Sequence, residues 1–134
     1  MTDYSTGELV NDAAMPIFVA LIFFVFMGLV FGCTGAMLNS GRITRNNAIG
    51  LRTRATLSSD EAWERGHKAG VLWVAVSAIG AVTAAVLGLI ALFVTGFEPN
   101  EPTNAVVILS GMLAIIGPLI AAGIAADRAA KKVS

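Results

Sequence analysis

Charge is scarce in this chain: Asp, Glu, Lys and Arg make up 13% of its 134 residues, about half the share of a soluble domain. No charged residue interrupts three long stretches, 15–38, 69–97 and 105–126. Cysteine is nearly absent. Cys33 stands alone inside an apolar run, so no intramolecular disulfide can form, and it reads as a small packing residue. Histidine occurs once. With no cysteine and no second histidine beside it, His67 cannot make a metal site by itself. Also missing are a nucleophile–base pair, a glycine-rich phosphate loop and paired carboxylates within the apolar stretches. A proton pump or ion-coupled transporter keeps such intramembrane charges for its work. The expectation is a non-enzyme with no cofactor, no metal and no nucleic-acid partner.

What fills the chain is apolar: 56% of the residues are hydrophobic and the mean hydropathy is +0.77. Too few polar residues remain to cover a soluble surface. The first run, 15–38, makes about 36 Å of helix, enough to cross a hydrocarbon core of roughly 30 Å. A cleaved signal peptide would need a basic leader and a short apolar core. The leader here is acidic and the run is long. The second run exceeds what a span needs, so part of it tilts or protrudes. The third makes about 33 Å and contains Gly117-Pro118, where a kink is expected. Glu98-Pro99-Asn100-Glu101-Pro102-Thr103 reads as a tight polar turn between the last two runs. The fold expected is an all-α membrane protein with three transmembrane helices, a single domain over 1–134.

The net charge is zero, but the signs are segregated. Lys and Arg number none before the first run, six in 39–68, none in the second connection and three in the tail. The first fourteen residues hold Asp3, Glu8 and Asp12 instead. Basic residues in short loops mark the cytoplasmic side. The pattern fits one orientation: N-terminus out, first loop in, second turn out, C-terminus in, as a multi-pass protein of a bacterial plasma membrane.

Small residues run in rows on all three helices: Gly28 and Gly32 with Gly35 and Ala36, then Gly80, Ala84 and Gly88, then Gly117, Ala121 and Ala125. Such rows let backbones approach within lipid. They suit packing inside the bundle, or docking of a membrane protein partner or a second copy. Phe18, Phe23, Phe24, Phe26 and Phe31 are expected on the opposite faces, which suit lipid or a large partner equally, with Trp73 and Tyr4 near the interfaces. Thr34, Ser77, Thr83, Thr95 and Ser110 can each bond back to their own helix.

The segment 39–68 is the informative one. Ser58 and Glu61 form a capping box, and Asp60 and Glu61 suit the positive end of a helix dipole. A short cytoplasmic helix therefore begins near Ser59 and runs into the second span without a break. Trp63, His67 and Gly70 fall on one of its faces, set along the membrane surface or under the first helix. Ile49 and Leu51, flanking Gly50, press against the bundle. Arg42, Arg45, Arg52 and Arg54 either touch anionic headgroups or form a fixed carboxylate or anion site.

Asn46, Ile49, Gly50, Arg52, Thr53, Thr56, Leu57, Ser58, Glu61, Trp63 and His67 occur in the order and spacing of a known signature. On these residues the chain resembles the SdpI family of small bacterial membrane proteins. Arg54 and Ala55 stand where that family often has a proline and an aromatic, and Gly66 where a hydroxyl residue is common. The resemblance implies an immunity protein that protects a cell from a secreted peptide toxin and helps hold a transcriptional repressor at the membrane. It points to Asn46, Gly50, Arg52, Thr53, Thr56, Ser58, Glu61, Trp63 and His67 as the working loop, for binding or for structure. A second reading stays open: an accessory subunit docking into a larger membrane complex, such as a respiratory assembly, through Gly28, Gly32, Gly80, Ala84 and Gly88.

Overall fold

A computed structural model describes residues 6–46 and 48–134, with side chains from Asp12 onward. Tyr4, Asp3 and the Glu8 side chain lie outside the described residues. Three helices follow one another: α1 (Thr6–Asn39), α2 (Asp60–Val94) and α3 (Glu101–Ala130). Each is long and apolar enough to cross a membrane; the candidate spans Asp12–Asn39, Asp60–Val94 and Glu101–Ala130 reach mean hydropathies of 2.7, 2.4 and 2.4.

The helices pack antiparallel in chain order, with α2 between the other two. Against α1, Gly28 meets Ala78, Ala81 and Val82, and Gly35 meets Val74. Against α3, Gly66 faces Ala126, Gly70 faces Ala122 and Gly80 faces Ala114. The approach is close: a methyl placed on Gly80 would lie 2.5 Å from the Ala114 carbonyl oxygen. Inside lipid such van der Waals fit, rather than a hydrophobic gradient, holds helices together. Ser77 adds a cross-helix bond, donating to the Ile115 carbonyl at 3.1 Å. A bond back to its own helix is open to it too, as Thr95 and Ser110 make to Ala91 and Val106. The antiparallel register carries Ser77 to a carbonyl of α3.

Only some of the small residues expected at interfaces sit there. Gly28, Gly80, Ala84 and Gly88 are packed, whereas a methyl on Gly32 would meet nothing within 4 Å. On α3 the buried row is Gly111, Ile115, Ala122, Ala126 and Ala130, not Gly117, Ala121 and Ala125. Gly117 is open on its outer side. Phe24, expected on a face turned to lipid or a partner, is buried within the bundle at 1% exposure beside Ala20, Ala81, Ala84 and Ile115. Its ring fills the space that a side chain on Gly111 would need, one of the places where α1 reaches α3. Pro118 lies inside α3, which continues through it.

The helix ends differ from the sequence expectation for local reasons. α2 stops at Val94 rather than Phe97. Gly96 turns left-handed (φ 61°), the Phe97 amide donates to Leu92 at 2.8 Å and the Gly96 amide to Phe93 at 3.2 Å. This is a Schellman stop. Phe97 itself holds φ 65°, and its ring stacks on Phe18 and meets Phe93 edge-on. α3 starts at Glu101, ahead of the expected 105. Asn100 caps it by accepting from the Thr103 amide at 2.9 Å, and Pro102 falls in the first turn, where its missing N–H costs nothing. No separate short helix precedes α2: Asp60–Lys68 are its own first turns. The 40–59 loop and the C-terminal tail thus share one end of the bundle, and the 95–100 turn lies at the other.

Candidate functional site

The loop between α1 and α2 closes its end of the bundle as a folded plug. α1 ends as Gly41 turns left-handed (φ 66°). Asn46 then organises the next turn. Its Oδ1 accepts from the Ala48 and Ile49 amides, both at 2.8 Å, and its Nδ2 donates to the Thr44 carbonyl at 2.8 Å. Gly50 follows at φ 122°, a conformation that L side chains rarely adopt, and it lies against His67 and Trp63 with no room for a β-carbon.

Trp63 and His67 receive the loop from below. Trp63 is 4% exposed and its indole N–H donates to the Ile43 carbonyl at 2.9 Å. His67 is 5% exposed. Its Nε2 accepts from the Leu51 amide at 2.9 Å, so Nδ1 carries the proton and donates to the Trp63 carbonyl at 2.7 Å. These rings stand on the charged first turns of α2, ahead of the apolar stretch that begins at Ala69. Burial pushes the His67 imidazole below its ordinary range, opposed by the bond to the Trp63 carbonyl. The face formed by Trp63, His67 and Gly70 is therefore covered by the loop itself, rather than by the membrane surface or α1. The Leu51 side chain lies directly over Gly70, as expected, but Ile49 is 49% exposed.

Thr56 is the second pin. It is fully buried, and its hydroxyl donates to the Leu51 carbonyl at 2.8 Å while accepting from the Thr53 amide at 2.8 Å. Thr53 returns the bond, its hydroxyl accepting from the Thr56 amide at 3.2 Å. The Thr56 methyl sits over Gly66, where any added methyl would lie 2.5 Å away. Gly66 in place of a hydroxyl residue thus makes room for Thr56. Ala55 packs on Ala62 and Ala130, tying the loop to both helices. The cap of α2 is Ser59, which accepts from the Ala62 amide at 3.1 Å. Ser58 instead donates back to the Ala55 carbonyl at 2.7 Å, so the expected capping box does not form, and Glu61 pairs with Arg65 at 3.5 Å.

Of the nine expected site residues, Asn46, Gly50, Thr53, Thr56, Trp63 and His67 are brought together as this plug. Arg52, Ser58 and Glu61 stay at its surface. The family model of the SdpI/YfhL protein family matches residues 42–122. The chain belongs to this family. Neither a curated protein nor a solved structure matches it. The family match begins in the plug, takes in all of α2 and ends at Ala122, the residue that backs Gly70 beneath Leu51.

Sequence reasoning missed a cleft of about 660 Å³ beside the plug, between the end of α1 and the first turns of α2. Leu38, Trp63 and Val71 line its apolar side. Its rim carries Arg45 paired with Asp60 at 2.9 Å, and Lys68 paired with Glu64 at 2.6 Å. Arg45 also donates to the Leu57 carbonyl at 3.0 Å, binding rim to plug. The Lys68–Glu64 spacing of four residues is readable as a helix pair; the partnership of residues 38–45 with 60–71 is not. Among the described residues no cluster of three His, Cys, Asp or Glu side chains is arranged to hold a metal.

Proposed function

We propose that this member of the SdpI/YfhL family is a non-enzymatic, immunity-type protein of a bacterial plasma membrane that works by binding. The plug and the C-terminus face the cytoplasm and the 95–100 turn faces outward, as the distribution of Lys and Arg suggests. One observation carries the reading. Arg42, Arg52 and Arg54 are exposed and have no ion pair among the described residues, on a loop whose backbone is pinned at Asn46, Gly50, Leu51 and Thr56. Exposed guanidinium groups on a pinned backbone suit bidentate recognition of carboxylates on a cytoplasmic protein segment. A secreted peptide toxin would meet the helices and their outer ends, and the plug would transmit or anchor that event on the inside.

Deletion of the gene followed by challenge with secreted peptide toxins tests this. Increased sensitivity, restored by the wild-type gene and not by Arg52→Ala/Arg54→Ala, supports the reading. Unchanged sensitivity overturns the immunity role. Stoichiometric recovery of large membrane subunits with the tagged protein in gentle detergent would make it an accessory subunit instead.

A further inference from the structure

The cleft beside the plug has a chemistry that the exposed arginines do not account for. It is large enough for a small ligand, within the roughly 300–1,000 Å³ of typical sites. Its apolar wall is made by Leu38, the last residue of the apolar stretch of α1, and Val71, in the first turn of the apolar stretch of α2. Met37 and Leu72, next to them in the chain, are exposed. Its rim holds two cations and two anions, Arg45, Lys68, Asp60 and Glu64, and is neutral as a set.

A free anion, or an anionic headgroup, would bring its charge against two carboxylates here. A zwitterion would not. A phosphodiester could take Arg45 and Lys68 while an ammonium takes Asp60 and Glu64, exchanging two surface ion pairs for two others. The existing pairs are no obstacle, since all four side chains are between 42% and 86% exposed, and exposed pairs contribute little. Trp63 and His67, held by the plug, give the cleft a rigid floor.

We propose that this cleft binds one zwitterionic phospholipid, its phosphoammonium headgroup on the charged rim and the start of an acyl chain along Leu38 and Val71. The proposal rests on the membrane reading of the helices and not on the immunity reading. It can fail while toxin protection stands, and the reverse.

The test uses the full chain in non-ionic micelles, with Trp73→Phe leaving Trp63 as the sole indole. Dihexanoyl phosphatidylethanolamine is titrated against dihexanoyl phosphatidylglycerol and chain-free glycerophosphoethanolamine. The expected result is a saturable change in Trp63 fluorescence, at least fivefold tighter for the first probe than for either of the others. Asp60→Asn/Glu64→Gln, both on exposed side chains, leaves a cationic rim and should reverse the preference toward phosphatidylglycerol, with near-UV circular dichroism retained. Lys68→Gln should weaken phosphatidylethanolamine without that reversal. Equal response to all three probes, no saturable response, or a preference indifferent to Asp60→Asn/Glu64→Gln overturns the proposal. Equal binding of the chain-free probe overturns the lipid as its occupant.

Discussion

Replacing Thr56 tests how the plug is held. Thr56→Val keeps the shape and removes the hydroxyl. That leaves the Thr53 amide and the Leu51 carbonyl, each now 2.8 Å from the Thr56 oxygen, without their partner. An unpaired buried polar group costs about 1–3 kcal/mol. Thr53 is half-buried, so water recovers part of this. The expected loss is about 2 kcal/mol, or roughly thirtyfold in the folding constant. Thr56→Ser makes the opposite cut. It keeps both bonds and removes the methyl over Gly66, for about 1 kcal/mol. Equilibrium unfolding in mixed detergent micelles, followed by Trp63 fluorescence in the Trp73→Phe background, measures both. Valine should be the worse substitution. If valine is neutral, or serine is worse, the polar pinning of the loop is wrong and the site is held by packing alone.

Three further outcomes follow from the same geometry. His67 is held neutral by burial and by accepting from Leu51, so the folded chain takes up the proton less readily than the unfolded chain. Stability is then fully present above the ordinary histidine value near 6.5 and falls as pH drops below it toward the lowered folded value. Glu64 and Asp127 are held below the usual carboxylate range by the hydrogen bonds from Lys68 and Lys131. Unfolding curves between pH 8 and pH 5 should show the loss, and His67→Gln should flatten it. Gly28→Leu should destabilise the bundle by about 2 kcal/mol or more through overpacking against Val82 and Ala81, whereas Gly32→Leu, in open space, should change stability by less than about 0.5 kcal/mol in the same assay. In a Cys33→Ala background, an impermeant maleimide added to intact cells should label Glu98→Cys and spare Ser58→Cys, and the reverse would invert the proposed orientation.

Much of the architecture was legible because membrane spans are written in composition. Three charge-free runs became three helices, and acidic residues after a serine placed the start of α2 to within one residue. Finer features depended on register, which composition does not carry. Gly28 and Gly32 look alike in sequence, yet only Gly28 faces α2. The buried α3 row runs one residue beyond Ala121 and Ala125, at Ala122 and Ala126, because alanine and glycine occur on several faces and any of them can make a small stripe. Ser58 had the better capping spacing, but its hydroxyl was taken by Ala55. Trp63 and His67 were legible as one face of a helix. That the loop would return over them, and leave a cleft beside Leu38, is a contact across sixteen or more residues that no local pattern encodes.

The central claim is that the signature residues make the loop a folded part of the bundle. Native-state hydrogen exchange at Leu51, Thr53 and Thr56 tests it most directly, because these amides donate to the His67, Thr56 and Thr53 side chains rather than to backbone carbonyls of a helix. The account predicts protection within about tenfold of the buried centre of α2, and lost together with it in denaturant. Exchange at the rate of the exposed Arg54 amide, with α2 still protected, would contradict it.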